Sequence, residues 1–156
     1  MRILFFISNS DFSINSANST NSKLLHESFI NCDGFNDIKY GGIVCLTKKP
    51  FLVSKLLSKS YVFSLGTLNS KSSNKIEGKI YYYFWRLIIF IFLLFLFISK
   101  IFNNKFKPLI HTRDIYSAHL CEYFSINYTL EIHRVFEIEK NYFDKINKKL
   151  NKEIII

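Results

Sequence analysis

Two short apolar runs in this chain break off into the same kinds of residue. Pro108 to Ile110 leads into His111, Thr112 and Arg113, and about twenty residues later Tyr128 to Leu130 leads into Glu131, Ile132, His133 and Arg134. Imidazole, guanidinium and carboxylate groups brought together in this way supply charge and directional hydrogen bonds for an anionic or hydroxyl-rich ligand. If Leu109 to His111 and Asn127 to Ile132 are neighbouring parallel strands, both clusters leave the sheet at carboxyl ends. In open α/β sheets the ligand crevice lies at that edge, where loops and helix N-termini present free N–H groups. The bland alternative stays open: Arg113 and Asp114 pair or cap the next helix, and the histidines are satisfied strand-end residues.

Several other chemistries lack their residues. No GxGxxG follows the first apolar run and no GxxxxGK[ST] occurs, so the glycine loops that cradle nucleotide phosphates are missing. There is no GxSxG nucleophile elbow, and His26, His111, His119 and His133 do not show HExxH spacing. Cys32, Cys45 and Cys121 are odd in number and scattered. They support neither a disulfide framework nor a zinc site, and a reducing compartment suits them best. No metal is expected.

The elements that must position the clusters read as alternating strands and helices. Arg2 to Ser8 is β-prone, and its apolar run from Ile3 to Ile7 is too short for a signal-peptide core. A polar loop follows, then helical spacing from about Ser19 through Leu24, Leu25 and Phe29, with a stop at Cys32-Asp33-Gly34. Asp37 to Leu46 predicts a second strand interrupted by Gly41-Gly42, and Pro50 to Leu57 could start a helix. Tyr61 to Leu68 is short and apolar, and 69–75 (NSKSSNK) is expected to be a flexible loop. After Lys100 the pattern gives PLIHT as a strand, RDIYSAHLCEYF as a helix, SINYTLEIH as a strand, FEIEKNYFDKINKKLN as a helix and KEIII as the start of another strand. Such alternation implies right-handed crossovers and a parallel sheet covered by helices.

The segment KIYYYFWRLIIFIFLLFLFISKIF sits between these units. Its uncharged core, Leu87 to Ser99, has 13 residues, against the roughly 20 that a membrane span needs. Extending it to Tyr81–Ile98 gives 18 residues but includes Arg86, which would have to snorkel toward headgroups. An apolar helix over 81–102, buried on a sheet or lying at a membrane surface, fits the flanking alternation better. The runner-up is a small single-span membrane protein.

Length and charge set the outer bounds. A chain of 156 residues with 49% hydrophobic residues can bury the core of one domain. Lys and Arg outnumber Asp and Glu by 21 to 12, which favours anionic partners. Much of the excess is lysine among Asn and Ile, and aromatics and lysines occupy different parts of the chain. No interleaved nucleic-acid face results, so no nucleic acid is expected as a partner.

The succession of the MRILFF strand, the long apolar helix, KPLIHTRDIYSAHL and INYTLEIHR resembles the N-terminal half of GT-B glycosyltransferases of the family 4 type. Lys107 to Arg134 carries most of this resemblance. It implies a Rossmann-like parallel sheet flanked by helices, spanning 1–156 as one partial domain incomplete at its C-terminus. It also implies retaining transfer of a sugar from a nucleotide-sugar donor to a glycan or lipid-linked acceptor, as in polysaccharide biosynthesis, with no cofactor. His133 would be the catalytic-side residue nearest the transferred sugar. Arg113, His111, Thr112 and Glu131 would line the substrate cleft, with Asn9 and Ser10 in a loop, Asn9 to Asn21, over its entrance. The glycine pair common in that loop is absent here. None of the family's donor-binding C-terminal domain is in these 156 residues, so the resemblance implies an N-terminal fragment inactive alone, either a split gene product whose C-terminal domain is encoded separately or the product of an interrupted reading frame. A cytoplasmic location, peripheral at the inner face of the cell membrane, is expected.

Overall fold

The computed structural model describes residues 2–8, 16–32, 37–47, 59–64, 75–132, 141, 142, 144 and 146. Their elements in chain order are β1 (Arg2–Ser8), α1 (Ala17–Asn31), β2 (Ile38–Thr47), β3 (Ser60–Ser64), α2 (Lys75–Phe102), β4 (Lys107–Thr112), α3 (Ile115–Tyr123) and β5 (Asn127–Leu130). All strand pairs are parallel, and the five strands are ordered β3-β2-β1-β4-β5. The chain is therefore an α/β protein with an all-parallel, Rossmann-like sheet flanked by helices.

β1 is central and apolar because both of its faces are covered. Successive side chains alternate between faces. Phe5 and Ile7 join one cluster with α2 and α3, and Phe6 joins Tyr40, Ile43 and Cys45 beneath Leu25, Phe29 and Ile30 of α1. The order of strands reverses at β1: β2 and β3 add on one side, β4 and β5 on the other. Reversing direction along the sheet while keeping one crossover hand puts the later helices on the opposite face. Accordingly α1 covers one face and α2 with α3 the other.

Helix α1 begins at Ala17 rather than near Ser19 because Ser16 caps it. The Ser16 hydroxyl accepts from Ser19 N, and the Ser19 hydroxyl accepts from Ser16 N, a reciprocal capping box. This corrects the expected Asn9–Asn21 loop, since Ala17 to Asn21 are helical; residues 9–15, with Asn9 and Ser10, lie outside the described residues. Gly41 and Gly42 do not end β2. They accompany a register shift opposite Leu4 and Phe5, and the strand runs on to Thr47.

Helix α2 starts at Lys75, six residues ahead of the expected 81–102 span. The predicted loop 69–75 thus gives up Lys75, and its residues 69–74 lie outside the described residues, as do the helix expected over 50–57 and the strand expected at KEIII. Tyr81, Trp85, Ile88, Ile89, Leu93 and Leu96 form the inner stripe of α2, buried against Phe5, Ile7, Val44 and Ile110. Arg86 turns inward. Its guanidinium lies 3.9 Å from the Tyr82 ring centre and 4.8 Å from those of Tyr116 and Tyr142, and it donates to the hydroxyls of Tyr82 and Tyr142. Such a tyrosine cage holds the cation inside the protein, although the buried Arg86 Nε makes no hydrogen bond among the described residues.

Candidate functional site

The sheet reversal brings the carboxyl ends of β1, β4 and β5 side by side, and several of the buried polar residues lie there. Thr112 pairs with Ile7 on one side and Leu130 on the other. Ser8, Thr112 and Asp114 are buried, as is Ser22 on the facing side of α1. The Ser8 hydroxyl donates to that of Ser22 across 3.2 Å.

Arg113 and Glu131 form a two-pronged ion pair. Arg113 Nε and Nη2 each donate to one Glu131 carboxylate oxygen at 2.8 Å, and Arg113 Nη1 reaches the Ser22 hydroxyl at 3.3 Å. The fork geometry matches a carboxylate and adds specificity as well as energy. Glu131 N donates to Thr112 O at 3.0 Å, which locks the exit of β5 against that of β4. One arginine therefore ties together β4, β5 and α1.

His111 points to the α1 face of β4, where Phe6 and Phe29 rings each lie 5.4 Å from its own. Its Nδ1 is 2.8 Å from the Thr129 hydroxyl, and its Nε2 is 3.6 Å from Glu131 Oε2, too long for a hydrogen bond. The neighbouring carboxylate favours a proton on Nε2, which leaves Nδ1 to accept from Thr129. Burial pushes the His111 pKa down from 6.5, and the Arg113 charge adds to this while Glu131 opposes it. The folded state thus prefers the neutral ring. Its contribution to stability is present above about pH 6.5 and is lost as pH falls through the lowered folded pKa. Denaturant midpoints taken at falling pH should show this loss in the parent chain, and His111→Gln should remove that component of the slope.

Asp114 answers the helix-cap alternative directly. It is the N-cap of α3, 2% exposed, accepting from Ser117 N at 2.8 Å and from the Ser117 hydroxyl. Burial raises the Asp114 pKa, and the Ser117 bonds, the Arg86 charge and the Trp85 indole pull it back. Trp85 Nε1 makes no hydrogen bond of ordinary length, so its pull is that of a nearby dipole. Thr112 completes the turn, its hydroxyl accepting from Asp114 N at 3.0 Å. Arg113 pairs with Glu131, not with Asp114.

Of the residues singled out from sequence, the fold brings His111, Thr112, Arg113 and Glu131 into one cluster. Thr112 is fully buried in the turn, and His111, Arg113 and Glu131 are partly exposed. His133 lies just beyond, outside the described residues, as does Arg134. Sequence reading missed Ser8, Ser22 and Thr129. A signal did exist for Ser22: Ser19, Ser22 and His26 repeat at helical spacing on the buried face of α1, where a core helix ordinarily carries leucine. Among the described residues no group of three His, Cys, Asp or Glu side chains could hold a metal ion.

Fold and site together define a Rossmann-like α/β unit with a polar cluster at the switch point of its sheet. No protein-family model, curated protein or solved structure matches the chain.

Proposed function

We propose that this chain is the N-terminal, acceptor-side unit of a GT-B glycosyltransferase of the family 4 type, moving a sugar from a nucleotide-sugar to a glycan or lipid-linked acceptor. One observation supports this reading most: the Arg113, Glu131, His111 and Ser22 cluster sits where β1 and β4 diverge in topology. Ligands of open parallel sheets bind in that crevice. Arg113 and Glu131 offer polar atoms suited to sugar hydroxyls. His133, two residues after Glu131, would stand nearest the transferred sugar and position it through the imidazole. The donor phosphates would be held chiefly by a C-terminal domain of the family type.

The test is a reconstitution. The chain alone should not bind UDP-, GDP- or dTDP-sugars at micromolar affinity. Paired with a C-terminal donor domain of the family type it should transfer radiolabelled sugar into a lipid or polysaccharide fraction. His133→Ala in that pair should lower transfer on the order of a hundredfold, the usual effect of removing one transition-state hydrogen bond. Micromolar donor binding by the chain alone, or no transfer by the pair with any donor, would defeat the reading.

A single-span membrane protein is the second reading, and the 24 residues of Lys79–Phe102 are long and apolar enough for it. Against it stand the inner stripe of α2 on the sheet and Arg86 in its tyrosine cage. Carbonate washing of membranes separates the two, because a span resists it.

A further inference from the structure

We infer that the outer face of α2, with the basic edge next to it, docks the protein flat on an anionic lipid bilayer. Tyr83, Leu87, Ile91, Phe95, Ile98 and Phe102 are all exposed, Phe102 to 87%. Their spacing of three and four residues makes them one continuous stripe, about 28 Å long at 1.5 Å per residue. The opposite stripe of the same helix is the one packed on the sheet. A helix held along its length on a folded sheet cannot insert end-on, so its free stripe can meet a bilayer only side-on, in the interfacial plane.

Charge selects the lipid. α2 links the carboxyl end of β3 to the amino end of β4, so its C-terminus reaches the amino edge of the sheet. Lys39, in register with Ile3 on the α2 face, and Lys105, in the turn after α2, are exposed along that edge. Lys100 lies in the last turn of α2 with its ammonium on Ser125 O, whereas Arg2 and Lys107 alternate onto the α1 face. Against these three lysines, Asp37 and Glu122 are the acidic residues in the same neighbourhood among the described residues, and Glu122 is engaged by the Tyr128 hydroxyl. An apolar stripe ending in a basic collar matches acyl chains beneath phosphate headgroups. A second copy fits less well. Lys79 marks the other end of the stripe, so pairing two α2 helices in either sense sets lysines against lysines. The carboxyl edge with its polar cluster lies at the opposite end of the strands and stays uncovered. This inference does not depend on sugar transfer.

The experiment is flotation of the purified full chain with vesicles of pure phosphatidylcholine and with vesicles carrying about 30% phosphatidylglycerol, at about 0.1 M salt. The chain should partition at least about tenfold better to the anionic vesicles, because each basic residue near such a surface contributes about fivefold. Lys39→Glu with Lys105→Glu should erase most of that preference. Phe95→Ser with Phe102→Ser, both at exposed positions, should lower binding to both vesicle types, with circular dichroism unchanged. Carbonate should strip the bound chain. Three outcomes would overturn the inference: equal or absent partition of the parent chain, retention through carbonate as for a span, or a concentration-dependent dimer that does not bind vesicles.

Discussion

Gly42→Ala destabilises the fold by about 3 kcal/mol or more, a large share of the roughly 5–15 kcal/mol that holds a domain folded. Gly42 has φ +135°, a conformation that residues with a Cβ rarely adopt, and holding one there costs about 1–3 kcal/mol. The added Cβ would also stand 2.3 Å from the carbonyl oxygen of Lys59, a backbone atom that cannot rotate away. That carbonyl accepts from Ile43 N at 2.9 Å, immediately before β3 enters register with β2 at Ser60 and Ile43. Relieving the clash would therefore break the hydrogen bond that starts the β2–β3 pairing, a further loss of about 1 kcal/mol. Urea midpoints measure the effect. Destabilisation below about 1 kcal/mol would mean that Gly42 does not hold this backbone shape.

Phe6→Ala costs about 3–5 kcal/mol, in the range of large-to-small changes at fully buried aromatics. Phe6 is 0% exposed at the centre of the sheet, in edge contact with Phe29 of α1 at 5.9 Å. Its ring also lies against His111. A cavity there would admit water to the imidazole and weaken the burial that lowers its pKa. The His111 titration, followed by NMR, should therefore move up toward 6.5 in the variant. Phe6→Leu keeps most of the volume, so it should cost roughly 1 kcal/mol and leave the titration nearly in place. Loss of stability without movement of the titration would separate the core role of Phe6 from any role at the cluster.

Most elements were legible because their signals are local. RILFFIS is continuously apolar, as a strand covered on both faces must be, and it forms β1 with the expected bounds. PLIHT and INYTL are β-prone runs separated by a helix with an aspartate at its N-cap, so the β4-α3-β5 unit could be read directly. The helix starts were less legible. Ser16 stands in a run of Ser and Asn in which any of several residues could cap, and only the reciprocal bonds with Ser19 distinguish it. The start of α2 at Lys75 was hidden by a polar stretch that carries no apolar period.

Three matters were decided by tertiary structure alone. Periodicity says which side of an element is buried, but not against which other element. The insertion of β4 beside β1 instead of beside β3 rests on how non-local surfaces pack after a 28-residue helix has crossed the sheet. That insertion brings Ser22 within reach of Arg113, 91 residues away in sequence, and gives Arg113 a carboxylate just past the end of the neighbouring strand in place of the aspartate beside it. Likewise the composition of α2 is equally that of a core helix and of a membrane span. The sheet beneath one stripe and the tyrosines around Arg86 bury its inner half, and leave the outer half exposed. By itself the sequence determined an α/β chain with a parallel sheet and two polar strand ends. Joining those ends into one cluster needed the strand register, because hydrogen bonds between parallel strands are set by contacts that no local stretch encodes.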